Sequence, residues 1–180
     1  MEKRLALRGH GAHLWTRELA KRIRVKVQEG LEELGAGDVL VLDLDGVEVF
    51  DYSFANELFG KTLLSLSSEF PGRFVVVENL TDYTRENLSK ALESLGLAII
   101  VRRKSKLELL GKVHPSDVKT FGALASAKGP LSAADLSKKL DVNLTAMNER
   151  LTKLGGMGLA RREKAASAAG REQYTYRVLG

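Results

Sequence analysis

The sequence predicts a mixed α/β chain of 180 residues in two parts, which meet near residue 113. Over residues 1–113, short apolar runs alternate with amphipathic helical patterns, as in sheets whose strands are joined by helices. Residues 131–163 instead hold two short helical patterns followed by a basic strand pattern. Charge divides in the same way, since residues 1–113 hold 17 Lys and Arg against 17 Asp and Glu, and residues 114–180 hold 11 against 6. The second part therefore carries the whole formal net charge of +5.

The first part alternates strand and helix patterns along its length. Strands are predicted at 5–8, 38–44, 73–78 and 97–102, with an edge strand at 107–110. Helices with one apolar face are predicted at 16–34, 53–67 and 84–95. The unbroken apolar run Val39-Leu40-Val41-Leu42 predicts a strand that is buried on both faces. This alternation implies a mainly parallel sheet with crossover helices.

The boundary between the parts is predicted at Val113-His114-Pro115-Ser116, because proline disfavours helix at the residue before it. Pro115 or Ser116 can then open a helix over 117–127. No long linker follows or precedes this point, so we expect the parts, 1–113 and 114–180, to abut.

Two helices joined by a tight turn are predicted next. Ser132 is an N-cap type of residue, and Asp135, three positions later, completes a capping box. Leu131 and Leu136 occupy the hydrophobic-staple positions around this cap. A turn follows at 141–143, and its last residue, Asn143, can cap a helix over 143–154.

The second of these helices has one apolar face, since Met147, Leu151 and Leu154 recur at helical spacing. Gly155, Gly156 and Gly158 are expected to stop it. Strands at 160–164 and 172–178 then flank a small-residue tip. Two helices, a turn and a basic hairpin are the layout of a winged helix-turn-helix, which predicts duplex DNA as the ligand.

In that arrangement the helix 143–154 would enter the major groove. Its outward side chains are the candidates for contact with base edges or phosphates: Leu144, Thr145, Asn148 and Thr152. Asn148 is the strongest candidate base reader, because an amide can pair with adenine through two hydrogen bonds. Further phosphate candidates carry positive charge: Lys153, Arg161, Arg162, and, on the wing, Lys164 and Arg171. The alternative is a winged helix that binds protein, and an outward Glu149 would repel phosphate.

The segment VLDLDGVEVFDYSFANELFGKTL at 41–63, preceded by TRELA at 16–20, resembles the STAS-like domain of uncharacterised bacterial and archaeal proteins. The resemblance spans about residues 3–112. It departs from the family at Asn56, where Asp is usual, and in Asp51-Tyr52-Ser53-Phe54, which differs from the Asp-Ser-Ser-Gly of the related anti-sigma-factor antagonists. In those antagonists a partner kinase phosphorylates the serine that opens the corresponding helix. The resemblance thus implies Ser53 as a phosphorylation site or partner switch, with a kinase or regulator as partner. Residues 115–180 separately resemble winged-helix transcription regulators.

A rival interpretation is a phosphatase. Asp43-Leu44-Asp45-Gly46-Val47 looks like the nucleophile motif of haloacid-dehalogenase-type enzymes, in which the first Asp attacks phosphorus and the second acts as acid and base. Those enzymes need a later Lys and a downstream acidic pair, and no such pair follows Glu108. The non-catalytic alternative is a strand end whose Asp side chains accept hydrogen bonds from local N–H groups. We therefore expect no enzyme.

The remaining site types find little support in the sequence. The chain has no Cys, which excludes disulfides, thiolate zinc sites and cysteine nucleophiles. Gly60-Lys61-Thr62 lacks the first glycine of a P-loop, where Ala55 stands, and His10 and His13 lack an evident third ligand for a metal. No window approaches the ~20 apolar residues of a membrane span. We expect a cytoplasmic protein without metal or cofactor, and a homodimer stays open.

Overall fold

The computed structural model describes residues 1–166, 170 and 172–179. Residues 1–113 form strands whose bounds are β1 (Glu2–Ala6), β2 (His13–Leu14), β3 (Val39–Asp43), β4 (Val49–Phe50), β5 (Phe74–Glu78), β6 (Ala98–Arg103) and β7 (Lys106–Gly111). The central sheet has the order β1-β3-β5-β6-β7. All its pairs are parallel except β6 with β7, which form an antiparallel hairpin at the edge. The predicted mixed α/β fold with a mainly parallel sheet is confirmed.

The connecting helices are α1 (Arg17–Glu32), α2 (Tyr52–Ala55), a π-helical segment (Asn56–Gly60), α3 (Lys61–Glu69) and α4 (Asp82–Ser94). The strand order advances in one direction, and right-handed crossovers then place every connecting helix on one face of the sheet. The buried side chains agree with this, because Leu40, Leu42 and Val77 of the sheet share one core with residues of α1, α3 and α4. The helices therefore cover only one of the two faces.

The other face of the sheet is covered by the second part of the chain. Val39, Val41, Phe74, Val76, Ala98 and Ile100 point to this face and are at most 5% exposed. They share a second core with apolar residues from 121 to 178, among them Phe121, Leu136, Met147, Leu151 and Tyr176. The burial of 39–42 on both faces is thus confirmed. The two parts meet through a common apolar core, to which both contribute buried side chains.

The second part contains α5 (Pro115–Ala125), β8 (Leu131–Ser132), α6 (Ala133–Leu140), α7 (Leu144–Gly156), β9 (Arg161–Ala166) and β10 (Glu172–Arg177). The strands form an antiparallel sheet of order β8-β10-β9. The predicted capping box at α6 is confirmed, with Asp135 N donating to Ser132 Oγ at 3.1 Å and Ser132 N to Asp135 Oδ2 at 3.0 Å. Asn143 caps α7, since its Oδ1 accepts a hydrogen bond from Ala146 N at 2.8 Å.

Several element boundaries differ from the sequence-based expectation, and two of them have a clear local cause. The first strand lies at Glu2–Ala6 instead of 5–8, because Leu7–His10 turns into a 3-10 helix that ends at Gly11. Helix α7 continues through Gly155 and Gly156, and it ends only where Gly158 takes φ +70°. Leu159 N then donates to Leu154 O at 2.9 Å, which closes the last turn. None of the helices in the described ranges combines the length and the apolar character that crossing a membrane requires.

Candidate nucleic-acid interface

One face of helix α7 is buried in the core, and the opposite face is exposed to solvent. Met147, Leu151 and Leu154 are fully buried in the shared core. The side chains predicted to face outward are exposed in the structure: Leu144, Thr145, Asn148, Glu149 and Thr152. Leu144 is 49% exposed, which is unusual for a leucine in a helix whose other leucines are buried. The first two turns of α7 thus present a mixed apolar and amide surface to solvent.

The turn before α7 holds that surface in a fixed orientation relative to α6. Asp141 has φ +51°, a left-handed conformation that ends α6. Ser137 Oγ then donates to Val142 O at 2.5 Å, and Val142 N donates to Ser137 O at 3.0 Å. These two bonds tie the turn to the last turn of α6 and so fix the point at which α7 begins.

The β9–β10 hairpin supplies exposed positive charge. The guanidinium of Arg162 lies 4.3 Å from the ring centroid of Tyr174, a distance typical of a cation–π contact. Lys164 is exposed and lies 3.8 Å from the exposed carboxylate of Glu172, a pairing that water and salt weaken. Arg171 lies outside the described residues. Tyr174 is a residue that sequence reasoning missed, although the cross-strand register that places it opposite Lys164 follows from the hairpin.

Two of the predicted phosphate ligands are held by contacts within the chain. Lys153 Nζ lies 2.7 Å from Oδ2 of the buried Asp117 and so ties α7 to α5. Arg161 Nη1 donates to Ala36 O at 2.9 Å, and its Nε lies 3.1 Å from Glu163 Oε1. These contacts give both residues a structural role between neighbouring elements. Their role in DNA binding stays a prediction.

A second polar group lies at the carboxyl end of the parallel strands. Asp43 accepts hydrogen bonds from Asn79 Nδ2 at 2.7 Å, from Asp45 N at 3.0 Å and from Arg4 Nη1 at 2.8 Å. Arg4 Nη1 also donates to Glu78 Oε2 at 2.6 Å. Burial works to raise the pKa of Asp43, but these hydrogen bonds outweigh burial and lower the pKa below its ordinary value.

The same network continues across the sheet. Arg102 pairs with Glu78 and makes two hydrogen bonds to the Glu2 carboxylate, at 2.9 and 2.8 Å. These bonds raise the pKa of Arg102 and lower that of Glu2. Sequence reasoning missed the network, because its members lie up to 100 positions apart and meet only through strand register. Across the described ranges, no three His, Asp or Glu side chains are grouped as ligands of one metal ion.

Ser53 does not cap its helix. Helix α2 begins at Tyr52, and its cap is Asp51, whose Oδ1 accepts from Phe54 N at 2.7 Å. Ser53 is the second helical residue and is half-buried. The predicted helix start at Ser53 is therefore wrong by one residue, since the helix begins at Tyr52. Asp51 supplies the cap because the helix begins at Tyr52, directly after β4, and Asp and Ser are N-caps of similar strength.

Residues 20–84 match the model of a family described as a STAS-like domain of unknown function (DUF4325). For these residues the predicted resemblance is confirmed. Among solved structures, one similar chain is described as a possible transcriptional regulator from Methanosarcina mazei Go1. It is 16% identical, the match covers 38% of this chain and 57% of that chain, and the TM-score is 0.34. A likeness this weak says nothing about the function of this chain. A search of curated proteins finds no match.

Proposed function

We propose that this chain is a cytoplasmic DNA-binding transcriptional regulator. In this proposal, residues 114–180 form a winged helix-turn-helix that binds duplex DNA, and residues 1–113 form a STAS-like domain that senses a signal or binds a partner. The observation that carries the proposal is the open face of α7, where Leu144, Thr145 and Asn148 are exposed while the opposite face is buried. We propose no enzymatic activity, because Asp43 is engaged through both carboxylate oxygens.

The open face has the chemistry that a major groove requires. The Asn148 amide can donate to and accept from adenine at the same time, Thr145 can bond a phosphate or a base, and Leu144 can contact a thymine methyl group. The face also belongs to the first turns of the second helix, the part of a helix-turn-helix that contacts base edges. Glu149 lies on the exposed side as well and would favour a cytosine amino group over a phosphate.

Positive charge beside this face supports phosphate binding. Residues 114–180 carry 11 Lys and Arg against 6 Asp and Glu. Arg162 and Lys164 are exposed on β9 and alternate there with half-buried residues. The stacking of Arg162 on Tyr174 holds its guanidinium without neutralising it. Such a charge binds any DNA sequence and gives an affinity that falls with salt.

We expect the full chain to bind a fluorescein-labelled random duplex, with affinity that decreases steeply as salt increases. Arg162→Ala should weaken binding to all sequences alike and reduce the slope of log affinity against log salt by about 1, because one phosphate contact is lost. Fluorescence anisotropy over a salt series measures both quantities. The matched control is Arg22→Ala, an exposed arginine of α1 on the opposite side of the sheet. Absence of binding at low salt, or equal effects of the two substitutions, would contradict the proposal.

A second candidate function is a protein–protein switch at Ser53. The specific observation is that α2 presents Tyr52, 43% exposed, directly beside Ser53 at a helix N-terminus. Such a terminus tolerates a phosphate, which would add ~1.5–2 negative charges beside Tyr52 and Asp51.

We expect Ser53→Asp to change which proteins a tagged full chain recovers, while its melting temperature stays close to wild type because the new charge lies at the positive end of the helix. Quantitative mass spectrometry of the recovered proteins measures the change. Ser68→Asp, at an exposed serine of α3, is the control for added charge. If Ser53→Asp and Ser68→Asp recover the same proteins in the same amounts, Ser53 is no switch.

A further inference from the structure

A cavity of about 590 Å³ lies between the two parts of the chain. One wall comes from α7 and β9 with the turn between them, and the other from α3, β5 and the loop that joins them. Its volume falls within the roughly 300–1,000 Å³ of typical small-molecule sites. Residues from both sides line the cavity, among them Leu66, Phe70, Pro71, Arg73, Gly156 and Arg162.

All the charged residues that line the cavity are positive. Arg73, Arg161 and Arg162 line the cavity, and no Asp or Glu is among its lining residues. Arg73 Nε donates to Leu34 O at 2.6 Å, which holds the guanidinium in place without neutralising it. Arg161 does contact a carboxylate, that of Glu163, but Arg177 shares the same carboxylate at 3.3 Å. The cavity therefore keeps a net positive charge beside its apolar surfaces.

Two glycines line the cavity and differ in the space around them. At Gly158 a Cβ would lie 2.8 Å from Leu66 Cδ2, so this glycine lets the turn after α7 approach α3 closely. At Gly156, by contrast, a Cβ would meet no atom within 4 Å. Gly156 lines the cavity and borders free space, so a larger side chain can be placed there without displacing the backbone.

We propose that this cavity binds a small organic anion with an apolar body, such as a medium-chain or aromatic carboxylate. The arginines supply the charge that the anionic group needs, and Phe70 with the exposed Pro71 supplies the apolar contact. The ligand would touch both parts of the chain at once. The inference goes beyond the proposed function and does not depend on DNA binding, because the cavity and its charge are properties of the free protein.

The probe is anilinonaphthalene sulfonate, an aromatic anion whose fluorescence rises when it leaves water. We expect saturable binding of one dye per folded chain, displaced by decanoate and hardly at all by the uncharged decanol. Gly156→Phe should weaken dye binding by about tenfold or more, because the ring occupies the site. Gly122→Phe is the matched control, since Gly122 is also helical and exposed, has no atom within 4 Å of a built Cβ, and lies outside the cavity.

A second variant keeps the test decisive if Gly156→Phe folds poorly. Arg73→Gln with Arg162→Gln retains polar side chains but removes two charges, and we expect it to weaken the dye and decanoate alike by about tenfold. Circular dichroism melts confirm that each variant stays folded, because partly folded chains bind this dye without specificity. Non-saturable binding, equal displacement by decanol and decanoate, or unchanged affinity in the charge variant would overturn the proposal.

Discussion

A chain that ends at Val113 should lose most of its stability and aggregate, because the truncation uncovers one whole face of the central sheet. The uncovered side chains are Val39, Val41, Phe74, Val76, Ala98 and Ile100. Burial of each large apolar side chain contributes about 1.5–3 kcal/mol, so the loss is on the order of 10 kcal/mol. This is comparable to the ~5–15 kcal/mol total stability of an ordinary domain. Urea unfolding and size-exclusion chromatography of the truncated and full chains measure the difference.

Polar substitutions on the same sheet face provide a control, because they should have opposite effects on the full and the truncated chain. Val41→Thr with Val76→Thr should destabilise the full chain, in which both side chains are buried, but should improve the solubility of the truncated chain, in which they face water. A truncated chain that is monomeric and unfolds cooperatively at the urea concentration of the full chain would show that the second part does not stabilise the first. The isolated segment 114–180 should also be destabilised, since it loses the sheet that closes its own core.

Asp43→Asn should destabilise the protein by about 1.5–3 kcal/mol at neutral pH, because charge-assisted hydrogen bonds from Arg4 and Asn79 lose their ionised acceptor. The effect should depend on pH with a definite sign. The folded-state pKa of Asp43 lies below the ordinary value of 3.8, so its contribution is complete above that value. As the pH falls below 3.8 and through the folded-state pKa, the wild-type carboxylate takes up a proton and the contribution is lost.

The measurement is urea unfolding of wild type and Asp43→Asn from neutral pH down to about pH 3, with Glu78 and Arg102 unchanged. The two stability curves should converge in the acid range. Asp45→Asn, at an exposed aspartate two positions along the chain, should leave stability within about 0.5 kcal/mol of wild type at every pH. A constant difference between Asp43→Asn and wild type at all pH values would show that the substitution acts through shape and not through charge.

The local features of this fold could be predicted because local chemistry determines them. The caps at Ser132 and Asn143 depend on hydrogen bonds that reach three residues, and the helices depend on apolar residues at helical spacing. The burial of strand β3 on both faces also followed from its unbroken apolar run. Each of these features is encoded within a few neighbouring positions.

The features that could not be predicted depend on how distant elements meet. The run at 39–42 indicates that something covers the second face, but no periodicity says that the cover is α5, α7 and the last strands. The sequence does not show that the side chains of Lys153 and Arg161 have partners within the chain. Only the packing of α7 and β9 brings Lys153 to Asp117 and Arg161 to Ala36. At Ser53 the error was local: Asp51 and Ser53 can both cap a helix, and the choice depends on where the chain leaves β4.

The shared core also orders the events of folding during synthesis. The helix-covered face of the sheet is complete once residues up to β7 have left the ribosome. The other face must wait for Tyr176 and Val178, which pack with strands made more than 70 residues earlier. At a synthesis rate of roughly 5–20 residues per second, Val41, Val76 and Ile100 stay uncovered for several seconds on every nascent chain. Chaperones that bind exposed apolar strands should therefore meet this protein during that interval, and mutations that weaken α7 should lengthen it.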